Sequence, residues 1–165
     1  MRALVLAALV ATLAAAPAAT SLTVGGAFVR GETLGASDLA ALPHVQVAVT
    51  EHDGTTGHYA GVTLATILRA AGAPVGDQAK GAAARSYVTV TGADGYVAAY
   101  SLSELDTSAA GCAPILADAR EGAPLAAALG PFRVVAPCDR VQARWVRNVV
   151  ALTGGSLPGP PPKPM

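Results

Sequence analysis

The sequence predicts an α+β domain: mixed, largely antiparallel sheets carrying two or three short helices. Three observations carry that prediction. Short β-branched runs, among them His44–Thr50, Tyr87–Val90 and Val146–Leu152, recur along the chain. They are separated by glycine, proline and Asp-Gly punctuation that reads as turns. The stretches with helical spacing of apolar residues, such as Leu64–Ala71, are short and do not alternate regularly with the strands as βαβ units would. The 165 residues are enough for one domain with a core of its own.

The two ends are set apart by composition. Met1-Arg2 followed by the apolar run Ala3–Ala16, with Ala16-Pro17-Ala18 after it, has the charged start, apolar centre and small-residue cleavage site of a signal peptide. The expectation is a signal peptide over residues 1–18, cleaved near Ala18 or Ala19, and a periplasmic or secreted location. The run is Ala-rich and shorter than the roughly 20 strongly apolar residues of a spanning helix, and no later run is long enough to cross a bilayer. Residues 154–165, GGSLPGPPPKPM, read as a disordered Gly/Pro tail that neither forms helix nor pairs in a sheet. Residues 19–153 are then the domain. Of eleven basic residues only Arg2 falls in the leader, leaving ten against eleven acidic ones. That near-balance speaks against nucleic acid or an anionic membrane as a partner.

Within the domain, Ser21–Val24 and Ala27–Val29 read as short strands broken at Gly25-Gly26, and Ser37 as the cap of a short helix that Pro43 closes. His44–Thr50 alternates Val45, Val47 and Val49 against polar positions, the pattern of a half-buried strand. Glu51–His58 reads as a polar loop, and Thr63 as the N-cap of a helix over Leu64–Ala71 that Gly72 stops. Residues 74–85 form a loop. Tyr87–Val90 and Tyr96–Tyr100 are strands of a hairpin turned at Asp94-Gly95. Ser101 and Glu104 form a capping box for a short helix. Pro114–Ala117, Phe132–Ala136 and Val146–Leu152 are the last strands, for six to eight in all.

If strands 114–117 and 132–136 pair antiparallel with Ile115 opposite Val135, Cys112 falls opposite Cys138. Facing Cα atoms in such a ladder are about 4.5–5.5 Å apart, within disulfide range. In an oxidising compartment the expectation is therefore a Cys112–Cys138 bridge. The competing reading is a free thiol that ligates a metal or cofactor.

Motif-borne chemistry is sparse. There is no P-loop, G-x-G-x-x-G, H-E-x-x-H, C-x-x-C or G-x-S-x-G. His52, Asp53 and His58 share one stretch, but their spacing matches no standard metal site, and a solvated loop explains them. Arg140, Arg144 and Arg147 cluster with only Asp139 nearby, and guanidinium forks suit phosphate or carboxylate. The alternative is a set of surface arginines, some paired with Asp118 or Glu121.

Several segments, taken in order, resemble a known family. They are Tyr59-Ala60-Gly61-Val62-Thr63-Leu64, Ala93-Asp94-Gly95-Tyr96, Gly122-Ala123-Pro124-Leu125, and Gly130-Pro131-Phe132-Arg133-Val134-Val135-Ala136-Pro137 followed by Ala143-Arg144-Trp145-Val146-Arg147. The series is similar to the molybdopterin-binding domain of the sulfite oxidase family, in its short exported bacterial form, and covers most of residues 22–152. The resemblance implies an α+β fold that holds a molybdenum pterin and catalyses oxygen-atom transfer. It maps Arg144 and Arg147 to the pterin phosphate and Arg133 to a structural position in a motif strand. In catalytic members the loop after the strand matching His44–Thr50 carries a cysteine thiolate to molybdenum. Here that loop reads Thr50-Glu51-His52-Asp53-Gly54, without a cysteine.

Two readings follow. In the first, the chain is an exported molybdopterin-domain-like protein without standard sulfite-oxidase-type catalysis, binding a small anionic ligand or a pterin phosphate through Arg144 and Arg147. In the second, it is a molybdenum-cofactor-dependent oxidoreductase in which Glu51 or His52 replaces the cysteine, or only the cofactor phosphate is held. Both place the site between those arginines and the Glu51–His58 loop. Neither names a redox partner.

Overall fold

The computed structural model describes residues 21–105 and 112–159. The signal peptide expected over residues 1–18 and the last residues of the tail lie outside them. Ten strands and three short α-helices are described: β1 (Ser21–Gly26), β2 (Glu32–Gly35), α1 (Ala36–Ala40), β3 (His44–Thr50), β4 (Thr56–Thr63), α2 (Leu64–Ala70), β5 (Ser86–Gly92), β6 (Val97–Ser101), α3 (Leu102–Leu105), β7 (Ile115–Arg120), β8 (Ala123–Pro124), β9 (Arg133–Val135) and β10 (Val149–Ser156). They form two sheets. One runs β2-β1-β10-β5-β6; the other runs β3-β4-β7, with β8 and β9 sharing the far edge of β7. Every pairing is antiparallel except β1 with β10. The fold is α+β, as the sequence predicts.

Residues 130–149 tie the sheets together. β9 pairs with β7 in the second sheet, while the Val134 and Val149 amides donate to the Val146 and Phe132 carbonyls at 2.8 and 2.9 Å. The chain then enters β10, at the centre of the first sheet. Asn148, with φ 48°, makes the corner: its amide donates to Leu129, and its carbonyl accepts from Ala93. Phe132, Val134, Trp145, Val146 and Val149 from this stretch are all buried in one core with Leu22, Leu64, Ile67, Tyr100 and Leu152.

Several elements differ from the sequence reading. Residues 56–58 belong to β4, a central strand, and not to a loop. The strand is hard to see because its pattern passes through Gly57 and Gly61, which have no side chain to mark a face. Gly61 is there for space: a Cβ would lie 2.1 Å from the Leu116 carbonyl oxygen. The short helix α1 is capped by Gly35, whose amide donates to Asp38 at 2.8 Å, and not by Ser37. Ala27–Val29 is a turn with Phe28 at φ 59°, and the second strand is Glu32–Gly35. Residues 74–85 contain two 3₁₀ turns, 76–78 and 81–85.

The expected tail boundary at residue 154 is also overturned. Gly154, Gly155 and Ser156 pair with Val88, Tyr87 and Ser86. Glycine is required because the neighbours come close: a Cβ on Gly155 would meet the Tyr87 ring at 2.4 Å. The composition that reads as tail is here the price of tight packing. By contrast, the Thr63 cap, the Ser101–Glu104 box and the hairpin agree with the sequence: Thr63 accepts from the Thr66 amide at 3.1 Å, the Ser101 amide donates to Glu104 at 2.8 Å, and β5 pairs antiparallel with β6. Ile115 stands opposite Val135, and Cys112 is bonded to Cys138 with Cα atoms 5.1 Å apart.

His44 at the start of β3 spans the second sheet to Asp118 of β7. Its Nδ1 lies 2.9 Å from the Leu42 carbonyl oxygen and its Nε2 lies 2.9 Å from Asp118 Oδ2. Both neighbours are acceptors when Asp118 is ionised, so both bonds form only with the imidazolium. The Asp118 hydrogen bond, then the Leu42 carbonyl, hold the His44 pKa above the ordinary imidazole value. A folded pKa above the unfolded one gives stability that is complete below the unfolded value and lost as pH rises through the folded one. The denaturation midpoint is therefore expected to fall as pH rises above about 6.5. Asp118→Asn should remove that part of the slope, and an unchanged slope in urea titrations across this range would refute the assignment.

Candidate functional site

The end of the molecule where β3, β7 and β9 meet the 137–145 segment holds the only buried charged side chain among the described residues. Arg133, the first residue of β9, is 7% exposed. Its guanidinium lies between two aromatic rings, 5.5 Å from the Tyr59 centroid and 5.2 Å from that of Trp145. Its Nη1 donates to the Tyr59 hydroxyl at 2.7 Å. No carboxylate pairs with it among the described residues, and its Nε has no hydrogen-bond partner.

Tyr59, from β4, passes the connection on. Its hydroxyl donates to Glu51 Oε1. Burial first, and then the Glu51 hydrogen bond, push the phenol pKa up to about 12, so it stays a donor at neutral pH. Arg120 Nη2 lies 3.4 Å from the same Glu51 oxygen, and the Arg120 guanidinium is 5.6 Å from the Tyr59 ring centroid. Gln142 donates to the Thr50 carbonyl at 3.3 Å and lies 3.5 Å from Glu51 Oε2. The β3–β4 turn, β4, β7 and the 137–145 segment thus meet at one carboxylate, and β9 joins them through the Tyr59 hydroxyl.

Three adjoining cavities open around this network. The largest, about 660 Å³, lies between Thr50-Glu51-His52 and the stretch Pro137–Trp145. A second, about 350 Å³, is lined by Arg133, Arg147, Tyr96, Asp94 and Trp145. The third, about 320 Å³, is lined by Glu51, His52, Asp53, Arg120 and Arg133. Arg133 borders two of them, and Trp145 and Gln142 border two.

The structure sorts the residues singled out from the sequence. Glu51 and His52 line the first and third cavities, and Arg147 lines the second as an exposed cation without an ion-pair partner among the described residues. Arg144 lines none of the three. Asp139 holds its fork at 2.6 and 3.0 Å, Glu104 contacts it at 3.0 Å, and it stacks 4.4 Å from the Tyr100 centroid. That pairing, led by the Asp139 hydrogen bond, raises the Arg144 pKa. Arg144 is thus a clamp between the 137–145 segment and α3. The surface pairings with Asp118 and Glu121 are not made by arginines of the cluster: Asp118 takes His44, and Glu121 accepts from the His58 amide at 2.9 Å.

Sequence reasoning passed over Arg133, Tyr59, Arg120, Gln142 and Trp145 as site residues. One signal was present: Arg133 interrupts the apolar run Phe132–Ala136, and a cation inside a core strand needs a partner. The other four are brought together only by the fold.

The donor set does not fit a thiolate-ligated metal. Both cysteines form the Cys112–Cys138 bridge. Glu51, at the loop position where a ligand was expected, is engaged by Tyr59, Arg120 and Gln142. Among the described residues no group of three or more His, Cys, Asp or Glu side chains is placed to hold a metal ion. The cations suit an anion.

The sequence model of one protein family, the oxidoreductase molybdopterin binding domain, matches residues 10–155. No curated protein matches the chain. Among solved structures it is similar to the sulfane dehydrogenase SoxCD from Paracoccus pantotrophus, with a TM-score of 0.62 and 18% identity. The match covers 81% of this chain and 37% of that one, so the chain spans little more than a third of that structure's length. At this identity the likeness is one of fold.

The network predicts a cost for removing the phenol alone. Tyr59→Phe keeps the ring between the arginines and leaves the Arg133 and Glu51 groups without their shared partner. The expected loss is about 1–3 kcal/mol of unfolding free energy, the penalty for stranding buried polar groups. Urea denaturation of the variant measures it; a change near zero would mean that the phenol is not the link.

Proposed function

Because the chain belongs to the oxidoreductase molybdopterin binding domain family, we propose that it is an anion-binding member of that family, working without thiolate-ligated molybdenum. The ligand is a pterin phosphate or a small oxyanion, received where Arg133 and Arg147 face the second cavity. The reading also makes this an exported protein, which the Cys112–Cys138 bridge supports, since disulfides persist in oxidising compartments.

The observation that carries the reading is the unpaired burial of Arg133. Desolvating a cation costs several kcal/mol. Two desolvated cation–π contacts return roughly 2 kcal/mol each, and one hydrogen bond to a neutral phenol about 1 kcal/mol. Glu51 balances the charge only through the Tyr59 hydroxyl. An anion in the cavity that Arg133 lines supplies the missing countercharge, and exposed Arg147, lining the same cavity, attracts it.

Tyr59 and Trp145 orient the guanidinium, and Glu51 orients Tyr59. Arg144 keeps the 137–145 wall in place through Asp139 and Glu104. These residues bind and position; none is arranged as a nucleophile with a base beside it.

Calorimetric titration with inorganic phosphate tests the reading, on protein made in a host that synthesises the molybdenum cofactor. Saturable binding is expected. Arg147→Gln, at an exposed position that does not endanger folding, should weaken it about 10–100-fold, the worth of one charge-assisted hydrogen bond. Molybdenum at one atom per chain by elemental analysis would overturn the reading in favour of a cofactor-dependent oxidoreductase.

A further inference from the structure

The cavity that receives the anion is lined by two cations, Arg133 and Arg147, and by one acid, Asp94. A carboxylate beside the arginines of an anion site opposes binding unless the ligand brings a proton to it.

Asp94 is held there by the β5–β6 hairpin turn. The Ala93 amide donates to the Asn148 carbonyl at 2.9 Å, and the Gly92 amide to the Tyr96 carbonyl at 2.9 Å. Gly92 leaves no room for a side chain: a Cβ would lie 2.8 Å from the Arg147 carbonyl oxygen and 2.9 Å from Asp94 Oδ1. The carboxylate and the backbone of Arg147 therefore flank the same small gap.

The turn accounts for one carboxylate oxygen only. Asp94 Oδ1 accepts from the Tyr96 amide at 3.0 Å, the local bond of an Asx turn. Oδ2 has no hydrogen bond among the described residues, and no ion pair joins the carboxylate to either arginine. Asparagine makes the same turn bond, and Asn-Gly forms the same hairpin as Asp-Gly. The fold therefore needs the oxygen at this position and has no use for the charge. The polar groups nearby are engaged with the protein: the Tyr96 hydroxyl donates to the Ala143 carbonyl at 2.5 Å, and Gln142 Nε2 to the Thr50 carbonyl at 3.3 Å.

We propose that Asp94 is the specificity-determining residue of the anion site and selects hydrogen phosphate, an oxyanion that keeps a proton. This deepens the preceding reading and rests on it. Arg133 and Arg147 supply the countercharge, and the P–OH group donates to Asp94 Oδ2. An ionised carboxylate can only accept, so it requires a donor on the ligand. Hydrogen phosphate holds its last proton well above neutral pH. Sulfate holds none in this range, and a phosphate monoester loses its own above about pH 6. Either of these would set like charges against each other with no hydrogen between them.

The test is calorimetry at about pH 8, roughly two units above the monoester ionisation, with inorganic phosphate, sulfate and methyl phosphate. Each is titrated into the protein and into Asp94→Asn, whose amide keeps the Tyr96 bond through Oδ1 and adds a donor. The unaltered protein should bind inorganic phosphate about 10–100-fold more tightly than the other two, the effect of one hydrogen bond to a charged group. In Asp94→Asn the preference for phosphate over sulfate should vanish, because an amide donates to either oxyanion. The readout is a ratio within one protein, so any loss of folded protein cancels. Sulfate bound as tightly as phosphate by the unaltered protein overturns the selection and leaves the anion-binding reading standing. A preference that survives Asp94→Asn overturns Asp94 as its source. Methyl phosphate bound as tightly as phosphate overturns the proton as the feature read. No saturable binding of any of the three overturns the anion-binding reading and the selection with it.

Discussion

A guanidinium held between two aromatic rings, far from bulk water and short of a carboxylate, is the constraint on which this end of the molecule depends. Arg133 reaches its position because β9 is threaded between β7 and the turn into β10, so its side chain is buried except where it borders the two smaller cavities. Such a charge is tolerated only in a surrounding that answers it: Tyr59 and Trp145 by their π faces, Tyr59 again by its hydroxyl, and Glu51 through that hydroxyl. Four separate segments are fixed relative to one another by this requirement. The cavities around them follow from it, since side chains that crowd a planar cation leave space at its edges.

The same network is the reason the proposed function leaves out a thiolate-ligated metal. A metal ligand needs a free lone pair aimed at open space. Glu51 has its carboxylate turned to Tyr59, Arg120 and Gln142, and the two sulfurs are bonded to each other. What remains of the site is its cationic part. An anion-binding protein and a cofactor enzyme share that part, because both must hold a negatively charged group against a protein wall.

Much of the fold was legible in local pattern. The hairpin at Asp94-Gly95, the Thr63 cap, the Ser101–Glu104 box and the register of Ile115 against Val135 are short-range or two-strand features, and each follows from residue types a few positions apart. The misreadings share a cause. β4 and the end of β10 run through glycines, which signal turn or tail in isolation, and are needed here because Leu116 and Tyr87 press against them. The site was half legible: Glu51, His52 and Arg147 do border the cavities, whereas Arg144 is spent on Asp139 and Glu104.

By itself, then, the sequence determined the α+β class, the family resemblance and the lack of a cysteine in the loop after β3, and it made a Cys112–Cys138 bridge the expected pairing. These depend on residue identity and on spacing along one or two strands. Only the tertiary structure decided which arginine is paired and which is not. Arg133 and Tyr59 are 74 positions apart, and Gln142 and Glu51 91. A charge is balanced by what surrounds it in space, and no local pattern records that. The stretch from Gly130 to Leu152 therefore owes its core strands to its own β-branched residues, and the setting of its buried arginine to Tyr59 and Glu51, contributed from elsewhere in the chain.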